Sequence, residues 1–195
     1  YLNKNKKKLI VFAGKLNKSK GYPIFIKSII KILNEFNDWK ALVVGNEKRE
    51  KYFLSHKNLK INNWLPHNKL LKIYDNSSIT VVNPTWEEPF GRTAMESASR
   101  GCAVITSRSG GLSETFNNNL ILKKNNPNEL FKLLSLLIRN KKLRLNVQKN
   151  NFNNIIHTPK KSVLALNLLR KSLPNSLNIV NKNKSFKIIH ISNFD

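Results

Sequence analysis

A single cysteine among 195 residues leaves Cys102 without a partner, which excludes an internal disulfide and a cysteine-clustered zinc site. It stands beside Ala103-Val104-Ile105, a setting for a thiol packed in a core rather than a nucleophile. The four histidines, His56, His67, His157 and His190, share no metal-ligand spacing, so neither a metal nor another cofactor is expected. No apolar run approaches the length of a membrane span and no signal peptide is legible, which makes a cytoplasmic location the expectation. Acidic residues are scarce: 11 stand against 35 Lys and Arg, a formal excess of +24. Such an excess draws polyanions. Here, however, Lys, Asn and Ile rise together along the whole chain, and the basic residues scatter instead of forming a stripe interleaved with aromatics. Charge alone gives only salt-sensitive, unspecific affinity, so no specific nucleic-acid partner is expected.

What the chain does have is alternation. Leu9–Ala13, Ala41–Gly45, Leu59–Leu65, Ile79–Val82, Ala103–Ser107 and the short Leu120–Leu122 read as buried strands. Between them lie helical patterns. The first has Pro23 in its opening turn and Phe25, Ile29, Ile32, Leu33 and Phe36 on one face. A short polar helix is expected over Lys48–Leu54, another over Pro66–Tyr74, and a third from Gly91 to Ser99, stopped by Gly101. Asn126-Pro-Asn-Glu129 has capping-box spacing for a helix that turns Leu130, Leu133, Leu134, Leu137 and Ile138 inward. Lys141–Ile156 and Lys160–Leu173 read as further helices. Continuous apolar strands alternating with helices imply an α/β fold, a doubly wound, parallel, Rossmann-like sheet covered on both faces. The expected organisation is that domain over 1–158, a carboxyl-terminal helix over 159–173, a linker over 174–185, and over 186–195 the first strand of a following domain.

The most informative stretch is Asn83-Pro-Thr-Trp-Glu-Glu-Pro-Phe-Gly-Arg-Thr-Ala-Met-Glu96. It leaves a buried strand, turns through two prolines and enters a helix at Gly91. The backbone N–H groups of Phe90, Gly91 and Arg92 lie at the positive end of the helix dipole, where phosphate is attracted. Glu88 and Glu96 flank that end, and carboxylates so placed can accept hydrogen bonds from sugar hydroxyls. As a plain helix-surface carboxylate, Glu96 could instead pair with Arg92 or Arg100, each four residues away.

Several stretches, in matching order and separation over residues 9 to about 116, together resemble the carboxyl-terminal domain of GT-B glycosyltransferases of the retaining family 4 group. They are Phe-Ala-Gly14-Lys15-Leu-Asn-Lys-Ser-Lys20-Gly21, Val-Val-Gly45, Trp64-Leu-Pro, Glu88-Pro-Phe-Gly-Arg-Thr-Ala-Met-Glu96, and Gly101-Cys-Ala-Val-Ile followed by Gly110-Gly111-Leu-Ser-Glu114. The resemblance implies roles. Lys15 and Lys20, beside Gly14, would grip the donor diphosphate and stabilise the leaving group as its charge grows. The family commonly has arginine at the position of Lys15; lysine keeps the charge without the planar two-toothed grip. Glu88 would contact the donor sugar, making Lys15, Lys20 and Glu88 the catalytic set, and Glu96 would contact the ribose. Phe90, Gly91 and Arg92 would lend backbone N–H groups, and Gly110 and Gly111 a close backbone approach, although a simple turn accounts for the glycine pair equally well. Leu65 lies where the family builds its nucleobase pocket, whereas Trp64 is expected in the core. Glu114 reads as structural.

The implied function is the donor-binding part of a glycosyltransferase that moves a sugar from a nucleoside diphosphate to a glycan or lipid acceptor, with retention and without metal. The implied partners are the nucleotide-sugar donor, the glycan or lipid acceptor, and an amino-terminal Rossmann domain that this chain has no room for. Any contact with a membrane would be peripheral, at its inner face. Two alternatives use the same residues: a non-catalytic nucleotide-sugar-binding module, and a nucleotide-sugar epimerase.

Overall fold

The computed structural model describes residues 5–50, 52, 54–114, 120–154 and 159–172. Two compact units result, Tyr1–His157 and Thr158–Asp195. The larger is built on a five-stranded, all-parallel sheet of β1 (Lys7–Ala13), β2 (Lys40–Val44), β3 (Leu59–Asn62), β4 (Ser77–Val82) and β5 (Ala103–Thr106), in the order β3-β2-β1-β4-β5. Its helices are α1 (Tyr22–Glu35), α2 (His67–Asn76), α3 (Arg92–Ser99), α4 (Pro127–Arg139) and α5 (Lys141–Asn153). The doubly wound α/β sheet expected from the alternation is present.

Both faces of the sheet are buried because its strands are apolar on both sides. Along β1, Ile10 and Phe12 point to one face, where Phe25, Ile29, Ile32 and Leu33 of α1 and Leu130, Leu134 and Leu137 of α4 meet them. Val11 points to the other, against Tyr74 of α2, Ala94 and Ala98 of α3, and Cys102. Each fully buried Leu, Ile or Phe contributes about 1.5–3 kcal/mol relative to exposure, so the two layers fix the strand register. Cys102 is the core thiol its neighbours implied, fully buried, with burial pushing its pKa up. At α4, the Asn126 side chain accepts from the Glu129 backbone N–H, the cap legible in the sequence.

Three elements differ from expectation. The polar helix expected over 48–54 is absent among the described residues of that stretch. Glu50 within it and Glu47 just before it serve other donors: Glu47 accepts from Arg49 N–H and Asn17 Nδ2, and Glu50 accepts from Lys18 N–H and the Tyr52 hydroxyl. These bonds hold an irregular connection against the first loop. The third strand stops at Asn62, leaving Trp64 and Leu65 in a loop. The short strand at 120–122 reduces to a single parallel bridge, Thr106 to Ile121.

Helix α5 is held by polar pins rather than an apolar stripe. Gln148 Nε2 donates to Ser78 O at 2.8 Å and Asn151 Nδ2 to Cys102 O at 3.1 Å, while Arg144 donates to the closing carbonyls of α4. In the second unit, α6 (Pro159–Ser172) exposes Val163, Leu164, Leu166, Leu168 and Leu169. The linker at 174–185 and the strand at 186–195 expected from the sequence lie outside the described residues.

Candidate functional site

Strand order reverses between β1 and β4, so the connections leaving their carboxyl ends run to opposite faces of the sheet and open a crevice. A cleft of about 200 Å³ occupies that point. Its floor is Phe12, Ala13 and Gly14 of β1 and its exit, with Val81 and Val82 of β4. Lys20, Pro84, Glu88 and the turn from Pro89 to Thr93 complete its lining.

The loop after β1 is folded by Asn17. Its Oδ1 accepts from Ser19 Oγ at 2.9 Å and from Lys20 N–H at 3.1 Å, closing a side-chain turn that aims Lys20 across the cleft. Thr85 stitches this loop to the one after β4: its N–H donates to Ser19 O at 2.9 Å and its hydroxyl to Lys18 O at 2.8 Å. As a result Lys20 Nζ reaches Glu88 Oε2 at 2.6 Å, with the two side chains 30% and 17% exposed. Trp86 joins the same pair. Its indole N–H donates to Glu88 Oε2 at 3.2 Å, and its ring lies 4.7 Å under the Lys20 ammonium.

The loop carrying Glu88 is braced from behind. The Pro84 carbonyl accepts from Ser107 Oγ, Ser109 Oγ and Asn125 Nδ2 at 2.8, 3.0 and 2.9 Å. Gly111 N–H donates to Glu88 O at 2.8 Å. A Cβ on Gly110 would stand 2.5 Å from Glu88 O, and one on Gly111 2.3 Å from Pro89 O. The close approach expected of this glycine pair is therefore made to the chain's own backbone.

Gly91 begins α3 in the left-handed conformation, φ 71°, with no side chain capping the helix. Its first-turn residues Arg92 and Thr93 line the cleft, so the uncapped positive end of the helix faces the Lys20–Glu88 pair. Glu96 lies one turn further on, outside the cleft lining. Its Oε1 is 3.5 Å from Arg92 Nη2 and 3.2 Å from His67 Nε2. Lys15 lines a separate hollow with Asn46, Glu47, Lys48, Arg49 and Trp64. There the Glu47 carboxyl is held below its ordinary pKa, chiefly by the Arg49 backbone N–H. Trp64, expected in the core, is 56% exposed on this hollow because its strand ends two residues earlier. Leu65 is half-buried beside it in sequence.

One cleft thus brings together Gly14, Lys20, Glu88, Phe90, Gly91 and Arg92, and leaves Lys15, Leu65, Glu96, Gly110 and Gly111 outside its lining. Sequence reasoning missed Asn17, Trp86, Asn125 and the Ser107–Ser109 pair. Asn17 carried a signal, an Asx residue three positions before Lys20. The brace on Pro84 carried none, since its members come from three separate loops. Among the described residues no group of three or more His, Cys, Asp or Glu could hold a metal ion, and no helix is long and apolar enough to cross a membrane.

A parallel sheet of this order with a crevice at its switch point is a Rossmann-like fold. The C-terminal domain of a glycosyl transferase group 1 family protein (LpcC) from Francisella tularensis superposes with a TM-score of 0.66, at 23% identity over 77% of this chain and 85% of that one. Anabaena HepE, solved in complex with UDP-glucose, gives 0.68 at 15% identity, covering 84% of this chain and 49% of that one. The chain belongs to the family of glycosyl transferases group 1, whose sequence profile matches residues 1–154. Among curated relatives, an uncharacterized glycosyltransferase of Methanocaldococcus jannaschii is 33% identical over 152 residues, 72% of this chain and 41% of that protein. The spore coat protein SA of Bacillus subtilis is 26% identical over 125 residues, 54% of this chain and 31% of that protein. The chain therefore spans about a third to two fifths of these relatives' length.

Proposed function

We propose that this chain is the donor-binding part of a retaining glycosyltransferase of hexosyltransferase type. The protein that carries it would transfer a sugar from a nucleoside diphosphate to a glycan or lipid acceptor in polysaccharide or lipopolysaccharide synthesis. One observation carries the reading: Lys20, Glu88 and the uncapped amino end of α3 share the cleft at the sheet's switch point. As the bond from the anomeric carbon to phosphate breaks, its electron pair leaves with the diphosphate. Lys20 and the first-turn amides of α3 stand where that charge develops. Glu88, 17% exposed, is placed to accept from hydroxyls of the sugar. The acceptor hydroxyl forms the new bond to the anomeric carbon, and its proton passes to the departing diphosphate oxygen.

Lys15 supplies a second cation from the hollow beyond Gly14, and Glu96, one turn into α3, serves the ribose. Leu65 borders the base, and Gly14 and Phe90 offer backbone to the donor. No cofactor enters this scheme. The acceptor would be bound by an amino-terminal Rossmann domain, and the protein would work in the cytoplasm, at the inner membrane face when its acceptor is a lipid. UDP-glucose in the structural relative HepE supports a nucleotide-sugar donor. A second reading uses the same cleft without turnover, a non-catalytic nucleotide-sugar-binding module, since holding a diphosphate at the α3 terminus needs no bond to break.

The test uses the full-length protein with UDP-glucose and then GDP-mannose. Release of diphosphate is followed, and proton NMR identifies the first anomer of any sugar set free. Donor breakdown with the donor's own anomer appearing first is the expected result. Inverted product removes retention, an epimerised donor sugar selects the epimerase, and binding without turnover selects the module.

A further inference from the structure

We infer that Trp86 is a positioning residue that couples Lys20 to Glu88, holding both in the cleft until a diphosphate sugar takes over their charges. The inference deepens the proposed donor site, on which its ligand-dependent half rests. Three contacts carry it. Lys20 Nζ is 2.6 Å from Glu88 Oε2, Trp86 Nε1–H donates to that same oxygen at 3.2 Å, and the Trp86 ring lies 4.7 Å from the Lys20 ammonium. One indole therefore uses its edge on the anion and its face on the cation. A ring has both features at once: a negative π face that attracts ammonium and a positive N–H that donates.

The geometry has a purpose in a lysine with four rotatable bonds. An ammonium on such a stem is otherwise spread over many rotamers, and ordering it at the moment of binding weakens the ligand. The Trp86 face and the Glu88 carboxylate order Lys20 beforehand. The same contacts neutralise two charges within a half-covered cleft. A diphosphate arriving at the α3 terminus then draws the ammonium away from Glu88 Oε2, and sugar hydroxyls replace it as that oxygen's partners. Trp86 itself is 45% exposed, so its ring can follow this exchange without disturbing the core.

The two features of the indole can be removed separately. Phenylalanine keeps the face and loses the N–H; leucine loses both. Trp86→Phe is expected to leave the affinity for a bare nucleoside diphosphate close to wild type. Trp86→Leu is expected to weaken it by roughly two- to ten-fold, the range for ordering one rotamer-rich side chain on binding. Both substitutions weaken the additional affinity contributed by the sugar, because both leave Glu88 without its indole donor.

The experiment labels the full chain with 5-fluorotryptophan and follows fluorine NMR. Of the resonances from Trp39, Trp64 and Trp86, the one lost in Trp86→Phe is assigned to Trp86. Without ligand, it is expected to move in both Lys20→Met and Glu88→Gln, and to stay in Lys27→Met on the exposed flank of α1. A Trp86 resonance indifferent to Lys20 and Glu88 would overturn the inference. UDP and GDP are then titrated separately, followed by UDP-glucose and GDP-mannose, into wild type, Trp86→Phe and Trp86→Leu. If the resonance responds to both charges while no nucleotide binds, the coupling stands and the donor reading fails. If a nucleotide binds wild type and both variants equally, the donor reading stands and the positioning role fails.

Discussion

Lys20 Nζ and Glu88 Oε2 meet at 2.6 Å although their residues are 68 positions apart in sequence. The bond spans the mouth of the crevice between β1 and β4, joining the loop after one strand to the loop after the other. The cation proposed for the leaving group and the carboxylate proposed for the sugar are thereby one electrostatic unit. Either partner alone would leave a charge in a half-covered cleft, so the two should fail together rather than additively.

Turnover by the full-length protein is the first place to look. Lys20→Met and Glu88→Gln are each expected to lower kcat by roughly 10²–10³, the scale for losing one preorganised charge-stabilising group. The double variant is expected to lose less than the product of the two, which steady-state kinetics on all four proteins would show. Near-normal kcat in both single variants would contradict the assignment.

Gly91→Ala should cost stability by about 1–2 kcal/mol from the left-handed conformation alone. It should cost more in practice, because the added Cβ would lie 2.5 Å from Leu112 Cδ1. Leu112→Ala in the same chain removes the clash and leaves the backbone term. Urea unfolding of the two single variants and the double separates the contributions, and the double variant is expected to recover part of the loss.

Asn125→Leu removes donors to Asn83 O at 3.1 Å and Pro84 O at 2.9 Å, and an acceptor 3.3 Å from Asn83 Nδ2. With a net value near 0.5–1.5 kcal/mol per hydrogen bond, a loss of about 1.5–4.5 kcal/mol is expected for the three. Ser107 and Ser109 still hold the Pro84 carbonyl, so the loop should loosen rather than collapse. Unfolding midpoints would register the stability loss, and donor titration would register a weaker Kd.

The buried thiol makes an alkaline prediction. Burial raises the pKa of Cys102 above its ordinary 9.0, so the fold retains a proton that the unfolded chain releases. Stability from this group is full below the ordinary value and is lost as pH climbs past it. Between pH 7.5 and 9.5 the denaturation midpoint should fall more for wild type than for Cys102→Ala. A disulfide-exchange reagent at pH 8 should leave the folded thiol unmodified and label it on unfolding.

How much of this was legible in the sequence depends on the kind of contact. The sheet was, because Ile10, Val11 and Phe12 bury on alternate faces and each face needs an apolar run. So was the start of α4, where Asn126 and Glu129 cap locally. Helix α5 was faint because Gln148 and Asn151 hold it, and amides that reach the backbone of distant strands leave no periodic apolar mark. The helix expected over 48–54 failed for the converse reason: Glu50, and Glu47 just before the stretch, satisfy distant loop groups. At the site, the sequence and its resemblance singled out the residues on either side of the Pro89 turn, Glu88, Phe90 and Gly91, which the fold brings into one cleft. The indole of Trp86 and the brace on Pro84 could not be read there, since each is defined by side chains that meet only after folding.

Isothermal titration of the full chain with UDP, GDP, ADP and TDP in turn, for wild type and Lys20→Met, tests the central proposition most directly. One diphosphate is expected to bind wild type in the micromolar range, with the affinity falling at least about ten-fold in the variant, the order of one charge-assisted contact. Affinity for all four weaker than millimolar, or a Kd that ignores Lys20, would contradict the account.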